Sequence, residues 1–131
     1  MIPILDWRQF DQDPAGFASA LGVACRGSGF FCLAHHPVPS ALVDQTFAAG
    51  DALFALSEDA KAALAIDRSP HNRGWARMGS ESLDETSGMT DRKEAFNIGL
   101  DLAPDDPRVL AEEPFRGVNV WPDLPGFRDT V

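Results

Sequence analysis

The apolar residues of this chain change their spacing from one segment to the next, and each spacing predicts a different kind of element. Residues 94–99 alternate bulky apolar side chains with small or polar ones, among them Asn97. This is the period of a strand with one buried face. The stretch before it is rich in glycine and serine, and the stretch after it is acidic and rich in proline. The pattern therefore predicts a strand that loops approach from both ends.

Three segments carry the apolar spacing of three and four residues that is typical of one helix face. The first follows Asp13-Pro14. This pair suits a helix start, because the aspartate can accept hydrogen bonds from free amides and the proline has no amide to satisfy. Ser40 and Ser57 are cap residues of the same kind in front of the second and third segments. We therefore expect three helices before residue 67.

Two short apolar segments near the N-terminus predict strands, residues 2–7 and residues 30–34. The second, Phe30 to Ala34, is apolar on both faces, which is typical of a strand covered on both sides. The only two cysteines are Cys32 in this strand and Cys25 in the preceding helix. Both are expected to be buried free thiols and not a disulfide.

The length of 131 residues predicts one domain, residues 1–131. Two long segments lack any helical or strand period. Residues 68–91 are polar with isolated apolar side chains, and residues 100–117 are acidic and carry three prolines. We expect both to be loops, and loops of this length inside a domain are usually lids, binding loops or disordered segments.

The charge limits the kinds of partner. The chain has 11 basic and 20 acidic residues, for a net charge of −9, and its basic residues are scattered. Nucleic acid and an anionic membrane surface are therefore not expected partners. The N-terminus shows no signal-peptide pattern, and the longest apolar runs are too short to cross a bilayer. A cytoplasmic location is the expectation.

Three residues are the candidate substrate-binding residues. Arg73 and Trp75 lie in the polar segment and combine a planar cation with a large flat ring, which suits a substrate that carries a carboxylate or a ring. Asn97 is a polar side chain on the open face of the predicted strand. The alternative is structural: Trp75 packs on the helices and Arg73 pairs with a neighbouring acid.

Five motifs resemble, in order and spacing, the N-terminal region of the isopenicillin N synthase-like Fe(II)/2-oxoglutarate-dependent oxygenases. They are Ile2-Pro3-Ile4-Leu5-Asp6, then Cys25-Arg26 with Gly29-Phe30-Phe31, then Arg73-Gly74-Trp75, Asp91-Arg92-Lys93-Glu94-Ala95-Phe96, and Gly117-x-Asn119-x-Trp121-Pro122 followed by Pro125-Gly126-Phe127-Arg128. Where the family usually has an Asn-His-Gly-Val turn, this chain has His35-His36-Pro37-Val38. The resemblance implies an α+β fold, with helices and a few strands of a double-stranded β-helix (jelly-roll) oxygenase whose barrel is largely missing from this chain.

The resemblance also implies Fe(II) and 2-oxoglutarate as cofactors of the full-length enzyme. In the family, a His-x-Asp motif and a distant histidine in the barrel bind the iron. The three histidines here are His35, His36 and His71, and none has an acid two residues later. We therefore expect no cofactor, no metal ligand and no catalytic residue in this chain, which alone should be inactive.

Two hypotheses of function follow. In the first, the chain is the N-terminal portion of an oxygenase that hydroxylates, desaturates or cyclises a small molecule. It then contributes a substrate-facing loop and supports the catalytic barrel. In the second, the chain is a stand-alone, non-catalytic domain that binds a partner or a second copy of itself.

Overall fold

Four short strands and six helices make up the part of the chain that the computed structural model describes, residues 1–80 and 91–131. In chain order they are β1 (Ile4–Asp6), α1 (Arg8–Gln12), α2 (Pro14–Gly27), β2 (Cys32–Ala34), α3 (Ser40–Phe54), α4 (Glu58–Ala63), a 3-10 turn (Ile66–Arg68), β3 (Gly74–Ala76), β4 (Ala95–Asn97), α5 (Pro107–Leu110) and α6 (Phe127–Thr130). The fold is α+β, and the described strands form no closed barrel. No helix in the described part is long and apolar enough to cross a membrane.

The chain divides into two compact units, Met1–Val43 and Asp44–Val131, and each is described by itself. The prediction that residues 1–131 form one domain stays a prediction. In the first unit, β1 and β2 pair in parallel, with Leu5 opposite Leu33. Helix α2 begins as predicted, because the Asp13 side chain accepts a hydrogen bond from the Gly16 amide at 2.9 Å.

One face of the β1–β2 pair is apolar and exposed. Ile4 lies opposite Cys32, and Ile2 and Phe30 continue the same alternation two residues earlier on each segment. Ile4 is 73% exposed and Phe30 is 71% exposed. We call these four residues the exposed sheet face. The prediction that the strand from Phe30 to Ala34 is covered on both sides is therefore wrong. The prediction that both thiols are buried is also wrong, since Cys25 and Cys32 are exposed. The sequence does place apolar residues on this face, but no described residues cover the face.

The second unit contains most of helix α3 and the antiparallel pair of β3 and β4. The third predicted helix is α4, and its cap is confirmed, since the Ser57 side chain accepts a hydrogen bond from the Ala60 amide at 3.3 Å. The buried apolar residues of this unit come from distant parts of the sequence. They are Leu53, Trp75, Ala76, Leu102 and Phe127.

Both predicted loops contain regular structure. Strand β3 lies within the predicted loop 68–91, and helix α5 lies within the predicted loop 100–117. Strand β3 is only three residues long and is fixed by contacts with other segments, so the local sequence pattern did not reveal it. Helix α5 does have a local start signal, because Asp106 caps it and Pro107 is its first residue, and sequence reasoning missed this pair. Residues 81–90 of the first predicted loop lie outside the described residues.

Strand β3 is bonded on both edges. One edge pairs with β4, and on the other the Trp75 amide donates to the Leu64 carbonyl oxygen at 2.8 Å. Gly74, the first residue of β3, has a φ of +111°, and a Cβ atom there would clash with the Leu64 carbonyl oxygen. Only glycine meets both conditions without strain. The close approach of these two backbones therefore depends on Gly74.

We expect Gly74→Ala to lower the free energy of unfolding by at least about 2 kcal/mol, because the new Cβ strains φ and meets a backbone atom that cannot rotate away. Gly27→Ala is the matched control, since no atom lies within 4 Å of the added Cβ. This second variant should be neutral or stabilising by up to about 1 kcal/mol. Urea unfolding of the two variants measures both effects. Equal stabilities would contradict the role given to Gly74.

Candidate functional site

Arg73 is buried, at 7% exposure, and binds the backbone of two separate loops. Its Nη1 donates to the carbonyl oxygens of His71 and Asn72, at 3.0 and 3.3 Å. Its Nη2 donates to the carbonyl oxygen of Phe115 at 2.8 Å. Its Nε has no hydrogen-bond partner in the described part of the chain. The guanidinium therefore ties the segment before β3 to the loop after α5.

The backbone that Arg73 holds is in a conformation that most residues avoid. Asn72 has a φ of 59° and Phe115 a φ of 60°, the left-handed region that costs free energy for a residue other than glycine. Both contribute a carbonyl oxygen to Arg73. Gly99 lies against the guanidinium so closely that a Cβ there would clash with it. Because several contacts with one side chain fix the backbone of both loops, Arg73 positions the loops relative to each other.

Trp75 is buried at 3% exposure and shares a carboxylate with Lys61. Its indole Nε1 donates to Glu94 Oε2 at 2.7 Å, and Lys61 Nζ donates to the same oxygen at 3.0 Å. Lys61 Nζ also lies 3.1 Å from Glu58 Oε1 and 3.4 Å from the Phe54 carbonyl oxygen. The ammonium stands 5.2 Å from the centroid of the Trp75 ring, a cation–π distance.

The Lys61–Glu94–Trp75 network shifts the pKa values of both charged groups. The hydrogen bond to Lys61 holds the pKa of Glu94 below its ordinary value, the Trp75 bond adds to this, and burial opposes it. The hydrogen bond to Glu94 raises the pKa of Lys61, again against burial. The ion pair is therefore fully formed at neutral pH. Lys61 is 5% exposed, and all three of its donor directions are used.

The structure does not bring the three predicted substrate-binding residues to one surface. Trp75 pairs with Phe96 across the two strands, and Asn97, the next residue, pairs with Gly74. Successive residues of a strand point to opposite faces, so Trp75 and Asn97 lie on opposite faces of the β3–β4 pair. Among the described residues, Arg73 bonds to backbone carbonyl oxygens and to no acid. A substrate contact by any of the three stays a prediction.

A cavity of about 300 Å³ borders Trp75. Its lining residues come from α4, the 3-10 turn and the end of β3: Ala62, Ala65, Ile66, Asp67, Arg68, Trp75, Arg77 and Ser80. A second cavity, of about 590 Å³, lies beside the loops that Arg73 connects, and it includes His71, Glu112, Phe115 and Arg116. The first is lined by two arginines and one aspartate, whereas the second is lined by one arginine and two glutamates.

Sequence reasoning missed two structural residues, Lys61 and Asn119. Asn119 is buried, and its side chain accepts from the Gly99 amide and donates to the Gly99 carbonyl oxygen, both at 2.9 Å. It thus replaces a strand partner after β4. The position of Asn119 in the Gly-x-Asn-x-Trp-Pro motif was a signal that could have found it. The contact of Lys61 with Glu58 is local, but no local pattern marks Lys61 as buried, because its other acidic partner, Glu94, is 33 residues away.

The described residues do not fit a bound iron ion. Within residues 1–80 and 91–131, no group of three or more histidine, cysteine, aspartate or glutamate side chains is placed to hold a metal. His35 Nδ1 lies 3.2 Å from Asp6 Oδ1, but Arg8 occupies the same carboxylate. No reaction step is therefore assigned to a metal held by these residues.

Residues 2–124 match the family described as "non-haem dioxygenase in morphine synthesis N-terminal". The chain therefore belongs to this family of N-terminal dioxygenase regions. Among curated relatives, it is 36% identical over 126 residues to the 2-oxoglutarate-dependent dioxygenase citB of Monascus ruber, covering 92% of this chain and 37% of citB. It is 32% identical over 133 residues to the clavatol oxidase claD of Penicillium crustosum, covering 92% of this chain and 39% of claD.

Solved structures give the same fold. A putative 2OG-Fe(II) oxygenase family protein from Caulobacter crescentus superposes with a TM-score of 0.75 at 25% identity, covering 98% of this chain and 41% of that protein. A full-length protein of Neurospora crassa, solved in complex with alpha-KG and thymine, superposes with a TM-score of 0.68 at 23% identity and shows the fold alone. The chain spans about two fifths of the length of the relatives it matches.

We expect Glu94→Gln to lower the free energy of unfolding at pH 7 by about 1–3 kcal/mol, because the buried ammonium and indole lose a charged acceptor. In the folded state, the pKa of Glu94 is lowered below its ordinary value of 4.5. The stability that Glu94 contributes is therefore present above pH 4.5 and is lost as the pH falls through the lowered pKa. The variant should therefore lose less stability than the wild type as the pH falls from neutral through the lowered pKa of Glu94.

Glu112→Gln is the matched control, since the Glu112 carboxylate is exposed and forms no ion pair in the described part of the chain. Urea unfolding at a series of pH values should show this control following the wild type. Asp6, Asp101 and Asp106 also have lowered pKa values, so only the difference between the two profiles isolates Glu94. Parallel profiles for Glu94→Gln and the wild type would contradict the assignment.

Proposed function

We propose that this chain is the N-terminal portion of a non-haem Fe(II)/2-oxoglutarate-dependent oxygenase that hydroxylates, desaturates or cyclises a small molecule. Its role is to support the catalytic barrel and to supply part of the wall of the substrate site. Iron and 2-oxoglutarate would be held by residues outside this chain. Of the three predicted substrate-binding residues, Trp75 has the best geometric support, because it lines a cavity. Arg73 positions the loops beside the other, larger cavity.

The exposed sheet face carries this proposal. Parallel strands normally lie in sheets covered on both faces, yet β1 and β2 form a two-stranded parallel pair with Ile4 and Phe30 exposed. No other described strand pairs with either of them. Such a pair gains the missing cover and the missing strand partners when it joins a larger sheet. A catalytic barrel built from further strands would provide both.

The same face supports the alternative function, a stand-alone domain that associates with a second copy of itself. An apolar face and two open strand edges favour pairing between chains as well as within one. The two functions differ in what covers the exposed sheet face: a catalytic barrel in the first, and a second copy of the chain in the alternative. They also differ in whether the native protein converts 2-oxoglutarate in an iron-dependent reaction.

The first experiment captures the protein with an antibody against this chain, from the cells that produce it, and measures its intact mass and its conversion of 2-oxoglutarate. We expect a mass well above the 14.2 kDa of this chain, and iron-dependent formation of succinate by the captured protein. The 131-residue chain alone should form none. A captured mass of 14.2 kDa, or succinate formation by the chain alone, would overturn the proposal.

A substitution on the exposed sheet face tests what that face does. In the isolated chain, Ile4→Glu should lower both self-association and the binding of a dye that reports exposed apolar surface, because a charge there opposes apolar contact. Leu110→Glu is the control, since Leu110 is also exposed, at 70%, but lies in the second unit. Sedimentation velocity measures the association. A monomeric wild-type chain that binds no dye would argue against an uncovered face.

A further inference from the structure

We propose that the cavity beside Trp75 binds a small aromatic or cyclic carboxylate, with the ring against Ile66 and Trp75 and the carboxylate at Arg68 and Arg77. This inference rests on the proposed function and adds the chemical class of the substrate. The cavity volume, about 300 Å³, is at the lower end of the roughly 300–1,000 Å³ found for small-molecule sites. It suits a compound of one or two rings.

The floor of the cavity is apolar and rigid. Ala62, Ala65 and Ile66 line it together with Trp75. The indole N–H of Trp75 is already bonded to Glu94, so it does not compete for a ligand. Trp75 is 3% exposed, so Ala62, Ala65 and Ile66, which are less buried, offer more of the apolar surface. A flat apolar ligand would replace water there without leaving a polar group unsatisfied.

The rim of the cavity has a positive excess. The lining includes two arginines, Arg68 and Arg77, and one carboxylate, that of Asp67. The Ser80 hydroxyl donates to the Arg77 carbonyl oxygen at 2.7 Å. Elsewhere the chain is strongly acidic, with a net charge of −9, so an anion is repelled from most of its surface. Two guanidinium groups at one opening replace this repulsion with a local attraction for anions, which favours binding of a carboxylate.

Three other arginines in the described part of the chain are already paired with acids. Arg8, Arg108 and Arg128 each bind an aspartate through a bidentate or multiple contact. Arg68 and Arg77 form no ion pair with any described residue. Both are exposed. A ligand carboxylate could therefore bind at the rim without first breaking an ion pair to the described residues.

The test uses benzoate as the probe and benzamide as its uncharged counterpart of nearly the same shape. The chain has three tryptophans, at positions 7, 75 and 121, so its indole N–H region in a ¹H–¹⁵N spectrum contains one reporter at the cavity and two away from it. Trp7→Phe and Trp121→Phe assign the resonances. We expect benzoate to shift the Trp75 resonance saturably, with little effect from benzamide at the same concentration.

Arg77→Gln and Arg68→Gln should each weaken benzoate binding about 3–5-fold, the scale of one partly exposed ion pair. Raising the salt concentration should weaken it further. Arg116→Gln is the matched control, an arginine at the other cavity, and should leave binding unchanged. Unmoved Trp7 and Trp121 resonances show that each variant is folded.

Equal shifts with benzoate and benzamide, an unmoved Trp75 resonance, or equal losses in Arg77→Gln and Arg116→Gln would overturn the assignment. Succinate formation by the captured protein reports the oxygenase function independently. An oxygenase whose N-terminal portion ignores benzoate would refute the substrate class and leave the proposed function intact.

Discussion

The second unit depends on one buried cation, Lys61. Its ammonium bonds to the end of α3 through the Phe54 carbonyl oxygen, to its own helix through Glu58, and to the segment before β4 through Glu94. It also stands over the Trp75 ring. A buried charge is tolerated only when its partners are complete. The position of β3 against α4 therefore follows from satisfying one ammonium group, and Trp75 is held as a consequence.

Arg73 solves the corresponding problem for backbone groups. The segments on either side of α5 have little regular structure. Carbonyl oxygens such as those of Gly99 and Phe115 therefore lack partners within helices or sheets, and a buried backbone oxygen needs one. Arg73 and Asn119 supply donors from side chains to Phe115 and Gly99. Two buried polar side chains thus replace the hydrogen bonds that a longer β-sheet would provide, which explains why so few residues of this unit are in strands.

Helix starts were the part of the fold that could be predicted, because Asp13 and Ser57 act on amides three residues away. Strand β3 could not, because its position depends on Leu64 and on β4. The expected burial of Cys32 failed because an apolar pattern shows which face seeks cover, not whether the described chain provides it. Trp75 was identified as important, but its role depends on Lys61, a contact without a local signal. The family motifs indicated the fold class before either contact was known.

The network around Lys61 and the cavity with Arg68 and Arg77 share one side chain, Trp75, and this sharing matters for recognition. A ring that is fixed on its polar edge by Glu94 loses little conformational freedom when a ligand packs beside it. The arginines at the rim are exposed and lose side-chain entropy when they bind, so they contribute selectivity for charge more than affinity. In the proposed site, the apolar lining selects the ring and the two arginines select the charge. Stability and recognition are therefore coupled: any change that loosens the Lys61–Glu94 pair also loosens the floor of the cavity.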